Sequence, residues 1–309
     1  MSNLHDWFLP LRDDVMQGMY AHYQHPLQQV VEEENIQGWD FMHAQSAHVL
    51  GGLVRPADLH ERIPYSAESH IAKLLSETAE RGLLEPAGAS PTDGYRLTAR
   101  GRATVDRMKS AVDDTLAVAP IDATAAERAT ELLHAQVERC LGCDFDTPSL
   151  SFSRKFAPGP DAPVGPRLRR AVFDLNAFRD DAHVAAFTAL DVPAHEWEAF
   201  SHVWGEKVWG EPVATAAEVA EKLSFRGYSA HEYREALENA VGRGWLAHEG
   251  ERYVITEEGR RVREAAEADT DARYYQAWQL SADEQSELQH ALSTLRDQLR
   301  ESAPEPAAG

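Results

Sequence analysis

The chain has 309 residues, 43% of them hydrophobic, and carries 51 Asp and Glu against 30 Lys and Arg for a formal net charge of −21. That is length for two modest domains or three small ones. The acidic excess runs through every third of the sequence, which excludes the broad basic surface that non-specific nucleic-acid binding or docking on anionic membranes needs.

Residues 1–38 read as an N-terminal helical arm. Their start, MSNLHDWFLPLRDD, lacks the basic-then-apolar layout of a secretory leader. No run approaches the roughly 18 apolar residues of a membrane span, so a cytoplasmic protein without membrane contact is expected. Residues 39–115 form the first unit. A helix is predicted over 39–53, with Phe41, Val49, Leu50 and Leu53 as its apolar residues, then a shorter one in PADLHERI, then a third over 66–82. Ser66 is placed to cap that third helix, and Glu68 suits its positive end. Ile71, Leu74, Leu75 and Thr78 make its apolar stripe, and Gly82 ends it. LLEP and YRLT alternate as short strands around a turn. Thr98 then stands where a following helix needs its N-cap.

Residues 116–192 read as a helical middle segment with a Pro-rich loop. Thr124 and Glu127 have capping-box spacing and open a helix to about Leu141. The run TPSLSFSRKFAPGPDAPVGP holds five Pro, Pro148 to Pro166, too many for any regular element. From Arg167 a helix resumes, with Leu168, Val172, Leu175 and Phe178 on one side, and continues towards Leu190. The basic cluster Arg154, Lys155, Arg167, Arg169 and Arg170 either binds an anion (DNA backbone or a small acidic ligand) or balances acidic neighbours. Arg179, Asp180, Asp181 and His183 in RDDAH either hold a metal or, as such sets more often do, form an ion-pair network between helices. Cys140 and Cys143 make a C-x-x-C at a helix end, with neither a preceding strand pattern nor a second pair for zinc. They read as a reduced structural pair, with a thiol switch or a metal site as the alternatives. No cofactor and no resident metal is predicted, and no catalytic motif is present.

Residues 193–302 form the second unit. A helix over 194–209 carries Trp197, Phe200, Val203 and Trp204; TAAEVAEKL follows, with Thr215 and Glu218 as a capping box. A third helix over 229–244 starts on the box Ser229 and Glu232. Tyr233, Leu237 and Val241 form its stripe, widened by Ala236 and Ala240. WLAHEG and RYVIT are the strands, and Thr256 caps the next helix. The last helix, 281–300, aligns Leu288, Ala291, Leu292, Leu295 and Leu299, either as a dimer seam or as a stripe buried in its own subunit. The tail, 303–309, reads as disordered.

The two units repeat one another. RGLLEPAGASPTDGYRLTARGR from Arg81 and RGWLAHEGERYVITEEGRR from Arg243 share Arg-Gly, two apolar residues, a variable stretch, a Tyr, an apolar-Thr pair and Gly-Arg. The fold class is therefore mainly α with small β-wings: two winged helix-turn-helix units joined by a helical middle segment. Each unit resembles a winged helix-turn-helix domain. The second is similar to the MarR family of bacterial transcriptional regulators, in the pattern Tyr-x-Ile-Thr-x-x-Gly-Arg at 253–260 and in the closing run SADEQSELQHALSTLRDQL.

The resemblance implies a DNA-binding regulator and no enzyme. The helices 66–82 and 229–244 would enter the major groove and the wings would touch the flanking backbone. Carried over, the DNA contacts are Ser66, Ser69, His70, Lys73 and Ser76 in the first unit, and Ser229, His231, Arg234, Asn239 and Arg252 in the second. The expected partners are double-stranded DNA, a small effector, and a second copy or an intrachain pseudo-dimer. Trp204, Trp209, Tyr228 and Tyr233 are the candidates to line an effector pocket. The acidic surface of both reading helices supports an alternative: a winged-helix module that binds protein and not DNA.

Overall fold

The structure, a computed structural model, describes residues 4–206 and 208–304. It is mainly helical with two small antiparallel sheets. The first half runs through α1 (Leu4–Glu34), α2 (Gly38–Val49), β1 (Leu53–Val54), α3 (Pro56–Arg62), α4 (Glu68–Glu80), β2 (Leu84–Pro86), β3 (Tyr95–Leu97), α5 (Ala99–Ala117) and α6 (Ala123–Cys140). A short α7 (Ser149–Arg154) follows. The second half runs through α8 (Val164–Thr188), α9 (Ala194–Trp204), α10 (Ala216–Lys222), α11 (Ala230–Gly242), β4 (Leu246–Glu249), β5 (Arg252–Ile255), α12 (Glu257–Tyr275) and α13 (Ala282–Glu301).

The long helices form one bundle. α1 packs on α5 and on α13, α8 packs in the same way on α12 and on α6, and α6 meets α13 between them. The bundle core takes Phe8, Val15 and Met19 from α1, Leu133 and Val137 from α6, Leu168, Leu175 and Phe178 from α8, and the whole 288–299 stripe of α13. Residues 4–34 are thus a central strut of the bundle. Leu288, Ala291, Leu292, Leu295 and Leu299 are buried within the chain, so that stripe is not available as a dimer seam. It is covered because α1 lies along it: Gly18 approaches Leu299, and His22 Nε2 is 3.2 Å from the Leu299 carbonyl.

Two similar helix–helix–hairpin units adjoin the bundle, α3–α4 with β2–β3 and α10–α11 with β4–β5, and the repeated sentence in the sequence has one physical reading in both. The Thr98 hydroxyl accepts from the Gly101 amide and donates to the Gly82 and Leu83 carbonyls; the Thr256 hydroxyl does the same with Gly259, Gly244 and Trp245. A Cβ on Gly101 would collide with the Leu83 carbonyl, and one on Gly259 with that of Trp245. The Gly of each Gly-Arg is therefore a close approach of a helix start to a strand carbonyl. β2 and β3 pair in the first unit and β4 and β5 in the second. β1 adds a third strand beside β3, where the sequence predicted helix to residue 53. The helix stops at Val49 because Gly51 and Gly52 both take positive φ.

Other departures are local. Ser66 does not cap α4, whose N-cap is Ala67 without a side-chain bond. Asp122, and not Thr124, caps α6 by accepting from the Ala125 amide; Glu127 is turned to Arg167 instead. The boxes at Thr215 and Ser229 form, and the structure shows a further one at Ser281. α9 ends at Trp204 on a left-handed Gly205, five residues short of the predicted 209. The Pro-rich run contains helix α7, which forms because the buried Asp181 accepts from the Ser149 and Leu150 amides and from the Thr147 hydroxyl. The predicted tail lies largely beyond residue 304, outside the described residues.

Candidate nucleic-acid interface and adjoining cavities

α11 presents the face its sequence predicts. Tyr233, Ala236, Leu237 and Ala240 are buried, while His231, Glu232, Arg234, Glu235, Glu238 and Asn239 are exposed. Several of these are engaged. Glu232 closes the cap on Ser229. Glu238 accepts from the Tyr253 hydroxyl at 2.7 Å and lies 3.2 Å from His248 Nε2, which ties the wing to the helix. Asn239 donates to Glu196, and His231 lies 3.5 Å from Glu235. Arg234 and, on the wing, Arg252 are exposed and make no ion pair among the described residues.

α4, the corresponding helix of the first unit, is placed differently. The Ala67 amide donates to the Arg226 carbonyl at 2.8 Å, just before α11. Ser66 is buried beneath the Arg226 guanidinium, and a Cβ at Gly227 would strike the His70 ring. Arg226 lies over the rings of Tyr65 and Phe225 and pairs with Glu198 at 2.7 Å. Phe225 in turn stacks with Trp39, and Arg62 reaches Asp180 at 3.6 Å. Ser69 and Lys73 remain exposed, Lys73 beside Glu77 at 3.8 Å, and Ser76 is half-buried. The starts of α4 and α11 are thus held within about 15 Å of each other, given roughly 3.8 Å per residue. Successive major-groove faces are about 34 Å apart.

This clamp was not legible from the sequence, since each contact joins residues far apart in the chain. A partial signal exists: Tyr65-Ser66-Ala67 recurs as Tyr228-Ser229-Ala230, and both copies stand at the junction.

The four aromatic candidates for an effector pocket are not gathered. Trp204 is buried against the Arg263 guanidinium, Tyr228 and Tyr233 touch edge to face, and Trp209 is exposed beside His202 and Lys222. None lines either of two larger cavities. The first, of about 540 Å³, lies between α2, α3, α5 and α8. Phe41, Met108, Phe152 and Phe173 supply apolar walls, and Arg62, Lys109, Lys155 and Arg169 supply charge. Arg169 sits over the Tyr23 and Phe173 rings and, like Lys155, has no ion pair among the described residues. The second, of about 1110 Å³, lies between α6, α8 and the 157–160 loop, and is lined by Arg128, Arg154, Arg167 and Arg170. The structure thus splits the predicted basic cluster between two neighbouring cavities, with Arg170 on the wall they share.

The RDDAH residues go to separate partners. Arg179 meets Asp271 and Glu267, Asp180 meets Arg62, Asp181 caps α7, and His183 Nε2 accepts from the Trp197 indole. No cluster suited to a metal occurs among the described residues. Burial pushes the Cys140 thiol well above its ordinary range, and Cys143 is raised for the same reason.

The chain therefore contains a helix-turn-helix domain. Residues 153–306, from α7 to the end of α13, match a family model described as a helix-turn-helix family. No curated protein and no solved structure matches the chain. No described helix is long and apolar enough to cross a membrane.

Proposed function

We propose that the protein is a DNA-binding transcriptional regulator that reads DNA through α11 and the β4–β5 wing. The observation that carries this is the free pair Arg234 and Arg252, on the reading helix and on its wing, within the segment that matches a helix-turn-helix family. His231 and Asn239 complete the face, and Ser229 fixes where the helix begins. Arg in a groove takes a guanine edge, and Arg on a wing takes phosphate. Ser66 is covered by the second unit and His70 is partly so, which leaves Ser69, Lys73 and Ser76 at most as flanking contacts.

The repeated order of elements and the paired packing of the bundle support an internal duplication, with the two halves related as an intrachain pseudo-dimer resembling a MarR-like dimer. The 540 Å³ cavity supports response to an effector: an apolar small acid, its charge on Arg169 and Lys155. Its size is within the roughly 300–1,000 Å³ of ligand pockets.

The test is a mobility-shift assay at low salt on DNA flanking the protein's own gene, with Arg234→Glu as the control. A shift abolished by the variant supports the reading; no shift at low salt overturns it. The second reading, a protein-interaction module, is favoured by the carboxylates Glu232, Glu235 and Glu238 on the same face and by the charge of −21. It would be upheld by a basic partner whose binding survives where DNA does not shift.

A further inference from the structure

The 1110 Å³ cavity is built by the segment that joins the two halves, and its charge is unevenly spread. At its floor, one buried carboxylate serves two guanidiniums. Asp174 Oδ2 lies 3.0 Å from Arg154, and Oδ1 lies 2.8 Å from Arg170. The same Oδ1 accepts from the Ser153 hydroxyl. Arg169 stands near Arg170 without a carboxylate of its own among the described residues, and Asp174 is the one buried carboxylate at the floor that pairs with these arginines. Burial, and the neighbouring Arg169 and Arg154 charges, outweigh the pull of Asp174 and bring the Arg170 guanidinium down to about 10.

The rim has the opposite character. Arg167 is held by Glu127, Arg154 by Glu138, and Arg128 by Glu131 and Glu287. These four carboxylates are half or more exposed. Exposed pairs are weak and exchange readily, so a dianion entering the cavity displaces them at little cost. Thr130 lines the same wall, is 4% exposed, and its hydroxyl has no partner. Its Oγ1 is itself fully buried and lies behind the wall, not open to the cavity.

We propose that this cavity is a binding site for a small phosphorylated molecule, its multiply charged group taken by Arg154 and Arg170 at the floor and by Arg167 at the rim. Planar guanidiniums match phosphate oxygens two at a time and lose less than lysine would on leaving water. The Ala and Pro side chains of Ala123, Ala135, Pro158 and Pro160 leave room for the body of the molecule. The site differs from the apolar cavity beside it, and it does not depend on whether α11 reads DNA.

The test uses the whole protein with sodium pyrophosphate as probe, against sodium chloride at matched ionic strength, read by isothermal titration and by thermal midpoint. One equivalent should bind. Arg154→Met and Arg167→Met should each weaken binding at least tenfold. Glu138→Gln, which removes an exposed competitor, should tighten it about threefold. Arg167 has its one ion pair with an exposed Glu and otherwise donates to the Ala162 carbonyl at the loop, so its variant keeps the test alive if Arg154→Met fails to fold. Arg234→Glu should bind pyrophosphate as the parent does. Stabilisation no greater than chloride gives, or binding unchanged by Arg167→Met, overturns the assignment. So does a loss of pyrophosphate binding in Arg234→Glu, or a short DNA duplex that binds through these arginines while pyrophosphate does not.

Discussion

The amide of Ala67, the N-cap of α4, donates to the carbonyl of Arg226, three residues before the N-cap of α11. The bond spans 159 positions of sequence and sets how the two helix-turn-helix elements meet. Around it, the Arg226 side chain does most of the holding. It pairs with a Glu198 that burial raises and Arg226 lowers, the burial being the larger effect.

Arg226→Met should therefore cost about 2 kcal/mol, below the roughly 3–5 kcal/mol of a fully buried broken pair because both partners keep some solvent. Urea unfolding checks the cost. Hydrogen exchange at the Ala67 amide should also accelerate; unchanged protection there would show that the clamp does not depend on this side chain.

The glycines at the helix starts make a paired prediction. Gly101→Ala and Gly259→Ala each force a methyl into a strand carbonyl, and overpacking of this kind costs about 1–3 kcal/mol. Both should lower the thermal midpoint by similar amounts. Gly242→Ala, where a Cβ meets nothing, should leave it level or slightly higher.

His43 gives a pH prediction. It is buried, and its Nδ1 lies 2.9 Å from the Thr78 hydroxyl, which donates to Asp40. Burial, opposed by Asp40, brings it from 6.5 down to about 4. The folded state thus binds this proton less readily than the unfolded state. Its contribution is present above pH 6.5 and is lost as pH falls towards 4. On the order of 3.5 kcal/mol is at stake, at about 1.4 kcal/mol per unit. Replacing His43 with Gln should flatten the fall in stability over that window, measured by urea midpoints.

Cys140 should resist a thiol reagent such as dithionitrobenzoate in the native state, and Cys143 should react slowly, because burial disfavours both thiolates. Rapid native-state modification of Cys140 would contradict the geometry and revive a redox role.

Local patterning reached far in this chain. The boxes at Thr215 and Ser229, the Thr98 and Thr256 caps of α5 and α12, and the exposed face of α11 all follow from short-range hydrogen bonding and helical period, which the residues carry with them. What lay out of reach was long-range. Ser66 looks like a cap, but His60 bonds its carbonyl and Arg226 lies on its hydroxyl. The α7 helix could not be read from its prolines, since its cap is Asp181, about thirty residues on. The α13 stripe gave no hint of its cover, because α1 is at the other end of the sequence.

That last arrangement has a consequence for how the polypeptide is tied together. α1 belongs to the first half yet lies along α13, while α6 lies along both α8 and α13, so the halves grip one another through several helix faces as well as through the Ala67–Arg226 backbone bond. The peptide link between 157 and 163 adds little to that grip. A protease nick there should leave both fragments associated through size-exclusion chromatography, and separately expressed halves should assemble by mixing.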